Sequence, residues 1–290
     1  MKFDNVYEFI VWENCNNKCE FCIQDKNNFL SSLQKRMSVE LVLNFLNSDQ
    51  FIPNSHVLIL GGELFDHSKY DYELIDYLFA NIVRLMIEKK INTLYVNTNL
   101  LYKNTEPLFN VLEMIDNFNL WDRLHFTTSF DYEYRFQHSE KLEELFWNNV
   151  VKIQNSFKKC KIIVNTILTE LVVRMILNKE YSIKDFENNH NVVVNLIPYI
   201  GRDDKFKPTR KELLKALMLI KDEWSENNFE NYVRSMLCPN KKIVHKFDKT
   251  ENKLVNITCD YSSNCHHSEN FKTCYKDSTK CFLCDLERLI

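Results

Sequence analysis

Six short β-rich runs alternate with longer helical patterns between Val6 and Ile197, and this alternation constrains the fold more than any other feature of the chain. Strands are predicted over residues 6–12, 56–60, 93–96, 124–128, 161–167 and 192–197. Helices are predicted over 38–46, with Ser38 as the cap, then over about 72–89, 106–116 and 140–157, with further helical segments between 169 and 188. A strand that passes through a helix to a parallel strand makes a right-handed crossover, so six such units build a parallel sheet. Periodicity alone leaves two architectures open, a doubly wound open sheet and a partial barrel. In both, chemistry gathers at the carboxyl ends of the strands.

The first strand is followed at once by Cys15, Cys19 and Cys22, a C-x3-C-x2-C triplet. An iron-sulfur cube held by three cysteines keeps one iron open to a non-protein ligand, whereas structural zinc takes four protein ligands and closes its shell. The spacing, with Phe21 directly before the last cysteine, resembles the signature of radical S-adenosylmethionine (radical SAM) enzymes. That resemblance implies a curved, six-stranded partial (β/α)6 barrel. It also implies a 4Fe-4S cluster whose open iron chelates SAM and whose electron releases a 5'-deoxyadenosyl radical, which removes hydrogen from an unactivated C–H bond.

Further residues carry the resemblance. The chain has only three glycines, and two of them, Gly61 and Gly62, stand with Glu63 at the end of the second predicted strand. A glycine here reaches positive φ or permits close approach. The run is similar to the family's GGE motif, with Leu64 in place of the proline that often follows, and implies that its carbonyls and the Glu63 carboxylate receive the SAM ammonium. At the end of the fourth strand, the run Ser129, Asp131 and Arg135 is similar to a Ser-x-Asp pattern with a downstream arginine. Ser129 is then expected on SAM's polar groups, Arg135 on its carboxylate, and Asp131 as an orienter of the loop. Asn99, ending the third strand, and Asn165, on the fifth, complete the expected cofactor-binding set with Phe21.

Cys238, Cys259, Cys265, Cys274, Cys281 and Cys284 crowd the last 53 residues, against a single Cys160 in the middle, which reads as a small buried hydrophobe. A hairpin predicted over 242–247 and 253–257 places Cys238 and Cys259 near its open end, and Cys281 and Cys284 can complete a four-thiolate site. The arrangement resembles the twitch relative of the SPASM domain and implies an auxiliary 4Fe-4S cluster, with zinc as the alternative metal. The expected organisation is a core over 1–235 and a small C-terminal cysteine-rich, hairpin-containing module over 236–290.

A net charge of -3 offers no global attraction to nucleic acid, although a nucleobase substrate in RNA or DNA stays open as an alternative. No apolar stretch spans a bilayer and no secretory signal opens the chain, so ten cysteines point to metal ligation in a reducing, cytoplasmic setting. The function expected is SAM-dependent oxidation or cross-linking of a small molecule or peptide, fed by a low-potential donor such as a flavodoxin or ferredoxin. The contrasting expectation is a non-catalytic zinc-binding interaction protein.

Overall fold

Strand order decides between the two architectures that periodicity leaves open. The computed structural model describes residues 6–20, 22, 29–66, 69–131, 134–199, 203–223, 242–248 and 253–259. Its elements run β1 (Val6–Ile10), α1 (Ser32–Leu46), β2 (Ser55–Leu60), α2 (Lys69–Ile87), β3 (Ile91–Thr98), α3 (Glu106–Asn117), β4 (Leu124–Phe130), α4 (Glu140–Ser156), β5 (Ile162–Leu168), α5 (Glu170–Leu177), α6 (Ile183–His190), β6 (Val193–Pro198), α7 (Arg210–Ile220), β7 (Lys242–Asp248) and β8 (Lys253–Cys259). The first six strands lie in the order β6-β5-β4-β3-β2-β1, every neighbouring pair parallel. A doubly wound sheet reverses direction at a switch point and carries helices on both faces. A strictly sequential order keeps every crossover on one face, so the sheet curls inside its helices as a partial barrel that does not close.

Alternation along the strands separates the two faces. Val57 and Ile59 on β2, Leu94 and Val96 on β3, Phe126 and Phe130 on β4, and Ile162 and Val164 on β5 are buried in one continuous apolar core with the helices. The intervening residues, among them Leu58, Tyr95, Asn97, His125, Thr127, Ser129 and Asn165, are half-buried and line the concave face. Phe130 anchors the core under β4, packing on Phe136, Phe146, Trp147 and Phe186. Arg123 fixes the entry to β4 by donating to the carbonyls of Asn92, Met86 and Ile91. A buried ion pair, Lys35 Nζ to Asp71 at 3.0 Å, joins α1 to α2, and its ammonium lies 5.1 Å from the Trp12 ring centroid.

Two expectations are corrected. Helix α1 begins at Ser32, not Ser38, because Ser31 and Gln34 form a capping box that satisfies the first backbone donors. Ser38 lies inside the helix, fully buried, and its hydroxyl donates to Val11 O at 2.6 Å. Helix α2 ends two residues early, at Ile87, where Lys89 takes a left-handed backbone and Lys90 N returns to Leu85 O.

The predicted hairpin forms, and its backbone extends the barrel sheet. β7 pairs parallel with β1, and β8 pairs antiparallel with β7 from Lys242↔Cys259 to Asp248↔Lys253. Among the described residues no helix is long and apolar enough to cross a membrane.

Candidate functional site

The loop after β1 is held by backbone before any side chain acts. Val11 N donates to Leu60 O, Gly62 N to Trp12 O and Glu63 N to Asn14 O, so the cysteine loop and the end of β2 run against each other. This contact explains Gly62. A Cβ there would lie 2.2 Å from Asn14 O and 2.4 Å from Glu13 O, well inside van der Waals contact with main chain that cannot swing aside. Gly61 is tight too, at 2.8 Å from Trp12 O and from Leu64 Cδ2. Neither glycine has positive φ, so space, not backbone freedom, requires them.

Cys15 is half-buried, Cys19 buried and Cys22 exposed, and none of the three is in a disulfide. Asn17 N donates to Cys15 Sγ at 3.4 Å, Asn99 Nδ2 approaches the same sulfur at 3.6 Å, and Asn17 Nδ2 donates to Cys19 Sγ at 3.2 Å. Burial pushes the Cys15 thiol up to about 11; the Asn17 N–H works against this, while Glu63, Cys19 and Cys22 add to it. Burial therefore keeps the Cys15 thiol protonated unless a cationic centre replaces its proton. Among the described residues no three Cys, His, Asp or Glu side chains converge on a point where a single metal ion could sit.

Glu63 is buried and its carboxylate is fully engaged. Oε1 accepts from Phe65 N at 3.0 Å and Thr98 Oγ1 at 2.9 Å, and Oε2 accepts from Asn99 N at 2.5 Å. Burial still dominates these three donors and raises its pKa to about 7. Asn99 is equally committed, with Nδ2 on Asn16 Oδ1 at 2.7 Å and Oδ1 accepting from Leu101 N at 2.7 Å. Leu100, which follows it, is buried with φ 56, and Asn149 on α4 clamps the turn by donating to the carbonyls of Leu100 and Tyr102. A left-handed leucine persists only where its surroundings over-determine it.

The ends of β4 and β5 differ. Ser129 is half-buried on the concave face, opposite Asn165 in the β4–β5 register. Asn165 accepts one bond, from Asn195 Nδ2 at 2.9 Å. Asp131 orients the following turn through Tyr134 N at 2.9 Å. Arg135 is buried, and its Nε has no hydrogen-bond partner among the described residues.

The structure thus brings Cys15, Cys19, Gly61, Gly62, Glu63 and Asn99 into one knot, places Ser129 and Asn165 side by side on the barrel wall, and ties the Arg135 backbone to Asn17. Phe21, Cys238, Cys265, Cys274, Cys281 and Cys284 lie outside the described residues. Cys259 ends β8 at the open end of the hairpin, as expected. Cys160 is buried in the core and its thiol is pushed up to about 12 by burial, consistent with an inert packing role.

Sequence reasoning missed Asn14, Asn16 and Asn17. Each of their amides bridges the cysteine loop to another segment: Asn14 to Leu30 N, Asn16 to Leu101 O, and Asn17 to Arg135 O. An asparagine run between cysteines is the signal, because a short amide can donate and accept across a loop at once. Also missed was the lower barrel wall, where Tyr95 stacks on His125 at 4.4 Å with His56 beyond it at 6.1 Å. Burial raises Tyr95 and lowers His125, and His56 lowers His125 further.

No protein-family model matches the sequence, and no curated protein matches it. Among solved structures, the fold is similar to native anSMEcpe with bound AdoMet and the Cp18Cys peptide, with TM-score 0.56 and 14% identity over 89% of this chain and 75% of that one. It is similar also to native anSMEcpe with bound AdoMet, with TM-score 0.52 and 13% identity over 83% and 72% of the two chains. At such identity the likeness is one of fold.

Proposed function

We propose that the chain is a radical SAM enzyme acting on a small molecule or peptide. The observation that carries this reading is the knot of the three-cysteine loop with the strand ends that bear Gly61, Gly62, Glu63 and Asn99. Cys15, Cys19 and Cys22 would hold a 4Fe-4S cluster; a cube takes one thiolate per iron, so its ligands need not converge on one point. When bound, the cluster and SAM supply the electron and the 5'-deoxyadenosyl radical. The chain's own residues then bind and orient. Arg135 meets the SAM carboxylate with a buried guanidinium matched to its geometry. Ser129 and Asn165 offer hydroxyl and amide to the polar groups of SAM. Glu63 ties the β2 and β3 ends together and would supply its carboxylate to the SAM ammonium when the cofactor is bound. Phe21 joins the same cofactor site.

The substrate reading is oxidation or cross-linking of a peptide side chain or metabolite, and the structural neighbour that carries AdoMet together with a peptide supports the peptide arm. Residues 1–235 form the core, and 236–290 a metal-binding module in which Cys238, Cys259, Cys281 and Cys284 would hold an auxiliary 4Fe-4S cluster, or zinc. A flavodoxin- or ferredoxin-type donor in the cytoplasm would supply electrons.

The test is anaerobic purification with iron, sulfide and zinc analysis, followed by reductive SAM cleavage in wild type and in the variant with Cys15, Cys19 and Cys22 replaced by Ala. The expected result is about eight irons per chain, with cleavage abolished in the variant. Iron lost from the variant with zinc retained would assign zinc to the C-terminal site. Zinc alone, with no 5'-deoxyadenosine after reconstitution, overturns the enzymatic reading.

A further inference from the structure

Resting on the cluster reading above, we propose that Asn17 is a positioning residue that sets the electron affinity of the cluster at Cys19 and mechanically joins the cluster to the Arg135 loop. Its side chain is buried, 7% exposed. Nδ2 donates to Cys19 Sγ at 3.2 Å and to Arg135 O at 2.9 Å. Oδ1 accepts from Lys18 N at 2.9 Å and from Gln137 Nε2 at 2.8 Å. Two N–H groups and two lone pairs are the whole capacity of an amide, so every one is used.

The arrangement has two consequences. An N–H directed at a ligating sulfur withdraws electron density from it and stabilises the more negative, reduced cluster, so it raises the reduction potential. The same nitrogen holds the Arg135 carbonyl, so the position of the donor and the position of the proposed carboxylate-binding arginine are one variable. The receiving loop is under strain: Gln137 and His138 are consecutive non-glycine residues with φ 51 and 56. Such residues survive where neighbours over-determine them. The Asn17 contact to Gln137 is one such constraint. A pull on Arg135 is therefore transmitted to the sulfur donor instead of dissipating in the loop.

The experiment compares full-length wild type, Asn17→Ala, Asn17→Asp and Gln137→Ala, each reconstituted anaerobically, by iron content and by a redox titration followed with electron paramagnetic resonance. Both Asn17 variants should keep iron at the N-terminal site and show a potential more negative than wild type, with Asn17→Asp lowest because it adds charge as well as removing the donor. Gln137→Ala retains the N–H···S donor and should titrate nearest wild type. If the Asn17 variants fail to hold iron, wild-type protein labelled with a nitrogen isotope only in asparagine side-chain amides decides the matter. A nuclear coupling to the reduced cluster that persists in Asn99→Ala is expected, and its absence overturns the proposal. Iron retained at an unchanged potential in both Asn17 variants overturns the role of Asn17 alone. A wild type that assembles no cluster overturns the reading of the site and this inference with it.

Discussion

The ends of β2 and β3 are closed, whereas the ends of β4 and β5 are open. Glu63 and Asn99 spend their side chains on backbone amides, on Thr98 and on the cysteine loop, and both are buried. Ser129 and Asn165 face each other half-exposed on the concave wall, with one side-chain bond between them, to Asn195. Four residues expected to play one role therefore divide into two kinds. The first pair ties the ends of β2 and β3 to the cysteine loop at Cys15 and Asn16; the second has polar capacity left for a ligand. Residue type alone cannot separate them, because an asparagine at a strand end is equally able to tie a loop or to bind a cofactor.

The sharpest way to break this contrast is Gly62→Ala. Its Cβ would overlap the carbonyls of Asn14 and Glu13, and neither can move without unseating the Cys15 loop. A loss of at least about 3 kcal/mol in denaturant unfolding is expected, with iron uptake impaired. Gly61→Ala, tight at 2.8 Å, should cost less. A Gly62→Ala protein of wild-type stability would mean that the two loops are not packed against each other.

Glu63 supplies the next effect, through pH. Its pKa rises from the usual 4.5 to about 7 because burial disfavours the charged form. In the apo protein the folded state therefore keeps a proton that the unfolded state releases near 4.5. The stabilisation is fully present below 4.5 and is lost as pH rises through about 7, a difference on the order of 3 kcal/mol. Denaturant titrations at about pH 5 and about pH 8 should show this slope in wild type and its loss in Glu63→Gln. Equal slopes in both proteins would place the titration elsewhere.

The sequence carried the fold to the level of strand existence and hairpin position because alternating burial leaves a period-two signature. It did not carry strand order, which depends on crossover geometry, and the six predicted strands fit two architectures until β1 to β6 were seen in sequence. The hairpin was legible as β7 and β8, but its pairing with β1 was not, since nothing local in residues 242–248 specifies a parallel partner over two hundred residues away. At the site, the cysteines and glycines were legible because their chemistry is rare. The role of Gly62 was not: the approaching group is this chain's own backbone at Asn14, a contact that exists only after the fold has formed. Asn17 and Asn149 were invisible for the same reason, as their partners lie 118 and 49 residues away.

The smallest effect is the most discriminating. Ser129→Ala and Asn165→Ala remove polar groups from a half-exposed wall, where a lost side chain leaves no buried donor or acceptor stranded, so each should change stability by no more than about 0.5 kcal/mol. If the two residues hold SAM, each loses one hydrogen bond of about 1 kcal/mol, and affinity measured by calorimetry on the anaerobic protein should fall roughly five- to tenfold. Asn99→Ala should do the reverse. It leaves Glu63 Oε2 bonded, because that bond comes from the Asn99 backbone N–H, but it removes the tie to Asn16 and Leu101 and should destabilise the fold by about 1–3 kcal/mol. Affinity lost without stability on one side of the barrel, and stability lost on the other, is the pattern that a closed scaffold beside an open ligand wall requires; stability lost equally at Ser129 and Asn99 would erase the distinction.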